Sequence, residues 1–558
     1  MRVAREDRPR PKYATAQHYE KKIPAPVKGW ASNASIAKEN PGYAEVLENF
    51  IPTTTGVRAR GGSRLMASVG LLAVESLMIY KGLNGDVAFA AMNGSVFNVT
   101  SPVSPTSIVA AVFSGQTSND YSHVNFSTAG GDFMLAFNGT DLHKIYNGTT
   151  WATNLPAITG VSTANISQAA VHANRIWMVQ SNSKNAWYLP VDSIGGAASL
   201  FSLAGVFKKS TKLLYIATWS IDSGSGSSDR IAFISEEGEA VVYTGDYPSG
   251  SWTLFGIYET AKVLGKKSSQ KIGGDLLVMT VNGIVPLSEA VRKDPAALSV
   301  ASITRAIEPD WKEATAIKGD RSWSFLKWDQ RNIGIVAIPS NTRTRIGSSV
   351  WGSFVWGRDP WGASYQIEEV IEPPISFVVN LQTGAWCKII GWDIRSMAVF
   401  NGQFIFGTSN GKLVFGDVDG SDQGASYECK CAYWPSSFGY EGEKQFLQAA
   451  CVFRNSTNFN PRVGISINNK LEWSAAPLPP MNNNQSAVWD SPTAIWDSPS
   501  TVWDQKGDKS VTYQPWISLD LNGRVGAVML QMSFLNQTTP DVEFTDTLVT
   551  YERAAIVT

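Results

Sequence analysis

Four segments of this chain share one layout. NGDVAFAAMNGSVF (84–97), GGDFMLAFNGTDLHKIY (130–146), GGDLLVMTVNGIVPL (273–287) and NGQFIFGTSNGKLVF (401–415) each run glycine, polar residue, apolar strand, Asn-Gly, second strand. The leading glycine precedes the asparagine by eight, seven, eight and eight residues (85→93, 131→138, 274→282, 402→410). Asn-Gly is a strong hairpin signal, because a type I′ turn needs positive φ at both central residues. Looser copies lie between them at ANRIWMVQSNSKNAWYL (173–189), SDRIAFISEEGEAVVY (228–243) and QRNIGIVAIP (330–339). Hairpins therefore start near 85, 131, 174, 229, 274, 331 and 402, in steps of roughly 43–71 residues. Such steps suit four-stranded units, with insertions in the widest ones. YNGTTW, PSGSW and QTGAW put Trp151, Trp252 and Trp386 just after glycine turns, well placed to pack between adjacent sheets. The pattern predicts a mainly β chain whose centre, 61–424, is a six- or seven-bladed β-propeller.

Two insertions interrupt that region, at about 291–325 and 341–374. LSVASITRAIE (298–308) sets Ile303 and Ile307 one helical turn apart and predicts a short helix stopping before Pro309. SSVWGSFVWGRDPWGASY (348–365) carries Trp351, Trp356 and Trp361 at a spacing of five, which fits neither strand nor helix. A projecting aromatic loop is the expectation, and interblade packing is the simpler alternative.

The ends differ in texture. Residues 1–60 read as an extended basic, Pro-rich arm, with Arg2, Arg5, Arg8 and Arg10 as candidate partner-binding residues. Residues 425–558 contain strand-like alternation (CKCAYWPSSFGY, KQFLQAACVFRN, GAVMLQMSFLNQ) and predict an antiparallel β-sandwich platform domain. Inside it, AVWDSPTAIWDSPSTVWDQ repeats Trp489, Trp496 and Trp503 every seven residues. Pro492 and Pro499 rule out a coiled coil. Each Trp-Asp-Ser-Pro is an indole followed by a tight turn. The indoles are expected to pack on their own sandwich or on a neighbouring subunit, making them candidate interface residues. Asp490, Asp497 and Asp504 would converge on a cation only if the chain coiled back twice, so no metal is expected there.

Chemistry is conspicuous by its scarcity. G-x-S-x-G, H-E-x-x-H, G-x-x-x-x-G-K-[ST] and the sialidase-type Asp-box do not occur. His18, His123, His143 and His172 are scattered and read as turn or packing residues. Cys387, Cys429, Cys431 and Cys451 lack C-x-x-C spacing and read as buried free thiols in a reducing compartment. No cofactor is expected. The N-terminus shows no secretion signal, and no apolar run reaches the ~18 residues of a membrane span. Formal net charge is −1, so no global field draws the chain to nucleic acid. Abundant aromatic surface without catalytic motifs favours an assembly protein over an enzyme.

Three stretches carry a family resemblance: ENFIPTTTGVRARGGSR, NAWYLPVDSIGGAASLFSLAGVFKKSTKLLYIATWSIDSGSG (185–226) and FVVNLQTGAWCKIIGWDIRSMAVFNGQFIFGTSNGKLVFGD (377–417). With the WD heptads, they resemble tail nozzle (tail hub) proteins of short-tailed bacteriophages, over about residues 40–505. The resemblance implies a structural virion protein that assembles in the host cytoplasm as a homohexameric tube. Its implied partners are the head-to-tail adaptor, tail fibres or spikes, double-stranded DNA passing without sequence specificity, and the host envelope at the tip. The Trp351/Trp356/Trp361 loop is a candidate tip or gate. A propeller-type glycan-binding or glycan-degrading receptor-binding protein is the alternative function.

Overall fold

The computed structural model describes residues 18–553 except 40–41, 102–108, 223–226, 293–296, 320–321, 341, 349–363, 371, 457–458, 468–509, 514–515 and 536–537. Seven antiparallel sheets follow one another along the chain. Blade one comprises Ser76–Tyr80, Val87–Met92, Ser95–Asn98 and Ala111–Phe113. Blade two comprises Ser122–Thr128, Gly131–Phe137, Lys144–Tyr146 and Trp151–Thr153. Blade three has Ile166–His172, Arg175–Gln180, Asn185–Tyr188 and Ser199–Ser202; blade four has Leu213–Asp222, Ser227–Ser235, Glu239–Gly245 and Trp252–Glu259. Among the described residues blade five has three strands, Ser269–Ile272, Asp275–Thr280 and Gly283–Pro286. Blade six is Ser324–Trp328, Ile333–Ala337, Ile375–Asn380 and Trp386–Ile390. Blade seven joins Ser396–Phe400, Gln403–Gly407 and Lys412–Asp419 to Gly62–Ser68 from the other end of the chain.

The first strands of successive blades touch in cyclic order, and blade seven returns to blade one. This is a closed seven-bladed propeller. Closure rests on Gly62–Ser68, which supplies the outer strand of the last blade and removes the ends of the ring.

The asparagine-glycine signals mark hairpins, though not one turn type. Asn93-Gly94 (φ 46° and 71°) is the expected two-residue turn between paired Met92 and Ser95. In the last segment the two-residue turn falls at the leading Asn401-Gly402 (φ 47° and 75°), joining Phe400 to Gln403, whereas at the signalled Asn410-Gly411 only Gly411 has positive φ (75°). At Asn138-Gly139 a longer loop opens instead. There the Asn138 side-chain oxygen accepts the backbone N–H groups of Thr140 and Asp141 at 3.2 and 2.9 Å.

The Trp echo falls in the outermost strands of blades two, four and six. Trp151 packs edge-on against Phe89 and Phe113 of blade one (4.9 and 5.2 Å between centroids). Trp252 stacks on Trp177 of blade three at 5.4 Å and 9°. The buried Trp386 donates its indole N–H to the Ile303 carbonyl in the insertion after blade five, at 2.9 Å. Each indole meets the preceding blade or its appendage.

Both insertions sit at blade margins. After blade five come helices Leu287–Arg292, Leu298–Ala301 and Glu308–Lys318. The expected helix ending before Pro309 is corrected. The longest helix starts at that point, because proline fits the first helical turn, where its missing N–H has no intrahelical acceptor to lose. Between the second and third strands of blade six, Thr342–Ser348 and Ser364–Val370 form a separate two-stranded ribbon.

The expected arm over 1–60 is also corrected for its described part. His18–Pro24 pairs along the C-terminal strand Val542–Arg553, and Tyr43–Glu48 pairs with Tyr427–Tyr433. Phe50–Pro52 and Val57–Ala59 complete that edge. The alternation of YAEVLENF is that of a strand, and a basic, Pro-rich beginning does not carry that texture to residue 60. The platform is therefore built from both ends of the chain. One sheet holds His18–Pro24, Phe50–Pro52, Val57–Ala59, Lys444–Asn455, Ser510–Tyr513, Ile517–Gly523 and Val542–Arg553. The facing strands Gly29–Trp30, Tyr43–Glu48, Tyr427–Tyr433, Gly526–Phe534 and Arg462–Ile467 continue the sheet of blade six. Gly29 makes that junction possible: its φ is 83°, and a β-carbon would lie 2.4 Å from the Trp386 carbonyl oxygen. The two sheets share an apolar core that includes Phe446, Phe453, Leu530, Met532 and Phe544. All four cysteines are buried and unpaired; burial pushes the Cys429 and Cys451 thiols up to about 12.

His143 is a packing residue. It is buried, stacks on Phe137 at 5.4 Å and 18°, and neither ring nitrogen has a hydrogen-bond partner among the described residues. Burial lowers its pKa to about 4. The unfolded chain therefore binds this proton first as pH falls. The stabilising contribution of neutral His143 is complete above about 6.5 and drains away between 6.5 and 4. The slope is about 1.4 kcal/mol per pH unit. Urea titrations from pH 7.5 to 4.5 are expected to show a shallower decline for His143→Phe than for the wild type.

Candidate functional site

VRARGGSR (57–64) folds into the joint between propeller and platform. Its alternation sends Arg58 and Arg60 to the same side of an extended chain. Arg58 binds Asp417 through both terminal nitrogens, at 3.2 and 2.9 Å. Asp417 lies at a bulge in the last strand of blade seven with φ 60°, and it also accepts the Gly61 N–H at 2.5 Å. Burial opposes its ionisation, but Arg58, Arg331 and the Gly61 N–H together outweigh burial and hold the carboxyl below its ordinary range.

Arg60 is 0% exposed and is fully engaged. It forms a two-pronged pair with Asp422 at 3.0 and 2.6 Å. It also donates to the Ile390 and Gly61 carbonyls and to the Asn49 side chain. Its guanidinium lies 4.0 Å from the centre of the Tyr427 ring and 5.0 Å from that of Trp392. One side chain thereby ties together blade six (Ile390), the end of blade seven (Asp422) and the platform (Asn49, Tyr427). This planar fork is what makes arginine suited to a buried joint.

A second polar centre lies on the propeller axis. Lys266 and Lys267 precede the first strand of blade five and reach across the ring. Lys266 Nζ donates to the Asp120 and Ser167 carbonyls at 2.8 and 3.3 Å and pairs with the Asp120 carboxylate at 2.9 Å. Lys267 Nζ pairs with the same carboxylate at 3.2 Å and donates to Ser76 Oγ at 3.1 Å. Blades one and two stand opposite blade five, so this knot spans the axial channel. Burial pushes the Asp120 carboxyl up, yet Lys267 and Lys266 outweigh it and bring its pKa to about 2. His123 sits beside the knot, accepting the Ile79 N–H on Nε2 at 3.3 Å; burial and then Lys267 lower its pKa to about 4. Elsewhere around the channel, amide side chains satisfy the exposed inner strand edges. Asn125 donates to the Ile79 carbonyl of blade one, and Gln168 both donates to and accepts from Ile216 of blade four.

Beside the knot, a polar cavity of about 420 Å³ opens between blades two and six. Asp120 and Glu236 both line it, each paired with lysine: Lys212–Glu236 is 3.1 Å. No group of three or more histidine, cysteine or acidic residues could hold a metal among the described residues. No helix of the described residues is long and apolar enough to cross a membrane.

The residues singled out from sequence lie elsewhere. Arg2, Arg5, Arg8, Arg10, Trp351, Trp356, Trp361, Trp489, Trp496 and Trp503 are all outside the described residues. Arg58, Arg60, Asp120, Lys266 and Lys267 were not anticipated. For the arginines one signal was available: two charges on one face of an otherwise apolar strand call for buried acidic partners.

No protein-family model matches the chain, and no curated protein matches it. Among solved structures, it is similar to Sqt1 of Saccharomyces cerevisiae at 10% identity, TM-score 0.36, covering 64% of this chain and 99% of that one. It is similar to YCF48 from Cyanidioschyzon merolae at 10% identity, TM-score 0.32, covering 64% and 98%. The RRP9 WD40 repeats align at 9% identity, TM-score 0.34, covering 64% and 99%. At such scores the propeller assignment stands on the strand order and ring closure above.

Proposed function

We propose that this chain is a structural subunit of a virion tail, six copies forming a nozzle that retains and then conducts double-stranded DNA. The observation that carries this reading is the fusion of propeller and platform into one body. A nine-stranded sheet runs from blade six into the platform, and Arg60 locks the seam. A wall subunit of a tube must keep its parts in fixed relation under load, and a continuous sheet with a buried ionic joint does that. The outer strand of blade four supports a packing role. Trp252–Glu259 pairs only with Glu239–Gly245 among the described strands and leaves Leu254, Phe255 and Ile257 at 44%, 40% and 43% exposure. Apolar side chains on an open edge are the kind of surface that subunit contacts cover. In this reading the partners are the adaptor, the tail fibres or spikes and, at the tip, the host envelope. Negative-stain imaging with and without the adaptor protein tests it: six-fold rings in either sample are expected, and monomers in both would overturn it.

One feature favours glycan binding as a second reading. A cavity of about 290 Å³ between blades one and two is lined by Phe113, Tyr146 and Trp151 with Asn98, Thr149 and Thr150 at its polar side. Titration with host surface oligosaccharides decides this reading: saturable binding that Trp151→Ala removes supports it, and no binding ends it.

A further inference from the structure

We infer that the axial cavity of the propeller is a binding site for a small phosphate dianion, either inorganic phosphate or a phosphomonoester. This inference does not depend on how copies of the chain assemble. Lys212, Lys262 and Lys266 line the cavity, and Lys267 shares the lining Asp120 carboxylate with Lys266. Against these four cations stand two carboxylates, Asp120 and Glu236. Lys212 is matched by Glu236 at 3.1 Å. Lys266 and Lys267 share the single carboxylate of Asp120, which leaves one positive charge uncompensated. No carboxylate pairs with Lys262 among the described residues, so a second charge is uncompensated at the rim. The excess is two positive charges, which matches a dianion.

Geometry makes the excess usable. The Lys266 side chain is only 12% exposed, and its ammonium is fixed by two carbonyls and one carboxylate oxygen. A cation held this way loses little freedom when an anion arrives, and with its three N–H groups already taken it acts on the anion through its charge. Lys262 is exposed and can swing over the opening. The walls come close through glycine. Gly139 and Gly265 line the cavity with φ of 80° and 139°, and a β-carbon at Gly265 would lie 2.5 Å from Ser322 Oγ. At about 420 Å³ the cavity has room for more than a bare ion, and Ser167, Ser181 and Asn182 offer polar contacts for an organic portion.

The test is calorimetric titration of the intact chain with inorganic phosphate, with glycerol 3-phosphate and with glycerol, at constant ionic strength set by chloride. Saturable one-to-one binding of either phosphate, with none of glycerol, is expected. Tighter binding of glycerol 3-phosphate would identify the ester as the natural class, and equal binding would identify free phosphate. Lys262→Ala removes one charge-assisted contact at an exposed position and is expected to weaken binding about tenfold. Its melting temperature without phosphate should be unchanged, which separates lost binding from lost folding. Absence of saturable heat with both phosphates overturns the inference. So does equal affinity in the wild type and Lys262→Ala.

Discussion

Arg60→Ala will destabilise the protein by about 3–5 kcal/mol and loosen the platform from the propeller. The magnitude follows from what remains behind. Arg60 is buried among Asp422, Asn49, the Ile390 and Gly61 carbonyls and the rings of Tyr427 and Trp392. Its removal strands the Asp422 carboxylate without its main counter-charge and empties a cavity between two aromatic rings. The carbonyl at Ile390 and the amide oxygen of Asn49 lose a donor at the same time. Arg60→Lys should recover only part of the loss, because an ammonium cannot present the planar two-pronged face that Asp422 accepts. Asp422→Asn in the Arg60→Ala background should also recover part, since the amide removes the stranded charge. Two measurements check this: urea unfolding, and limited proteolysis at the seam. A loss below about 1 kcal/mol in Arg60→Ala would show that the joint does not hold the two parts together.

Trp177→Ala will cost about 3–5 kcal/mol, concentrated between blades three and four. Trp177 is 0% exposed and touches Tyr188 of its own blade at 4.8 Å between centroids. Across the seam it meets Trp252 at 5.4 Å and Phe233 at 5.7 Å. Its indole N–H has no hydrogen-bond partner among the described residues, so the loss is one of packing alone. Trp177→Phe therefore forfeits no hydrogen bond and should cost markedly less than the alanine. The near-parallel Trp177–Trp252 pair should give a near-ultraviolet circular dichroism couplet that disappears in either variant. A urea midpoint that falls while the slope stays constant would confirm lost stability rather than altered compactness.

How much of this was legible in the sequence differs from residue to residue. Asn93-Gly94 specified its turn because φ preference is a property of the two residues alone, whereas in the last segment the same turn forms at Asn401-Gly402 rather than at the signalled Asn410-Gly411. The glycine turns before Trp151, Trp252 and Trp386 point to packing between blades, while their place in outer strands is set by strand pairing. The start of the longest helix was misplaced because Ile303 and Ile307 mimic a helical stripe, whereas Pro309 marks a beginning there. Within 1–60, composition does not mark where the basic, Pro-rich stretch gives way to the strand-forming alternation of YAEVLENF. The knot of Lys266 and Lys267 with Asp120 left no trace, because those residues stand 146 positions apart or more in the chain.

The sequence by itself determined the repeated hairpin, the mainly β class and the place of the blades along the chain. Those follow from side-chain alternation and turn chemistry, both of which act over a few residues. Only the tertiary structure decided that there are seven blades, that Gly62–Ser68 closes the ring against Lys412–Asp419, and that both chain ends build the platform. A strand edge offers the same row of N–H and C=O groups to any partner, so its own residues do not name the strand that fills it. The choice is made by burial and by a few specific pairs, Arg58 with Asp417 and Arg60 with Asp422, whose members meet only after more than 350 intervening residues have folded.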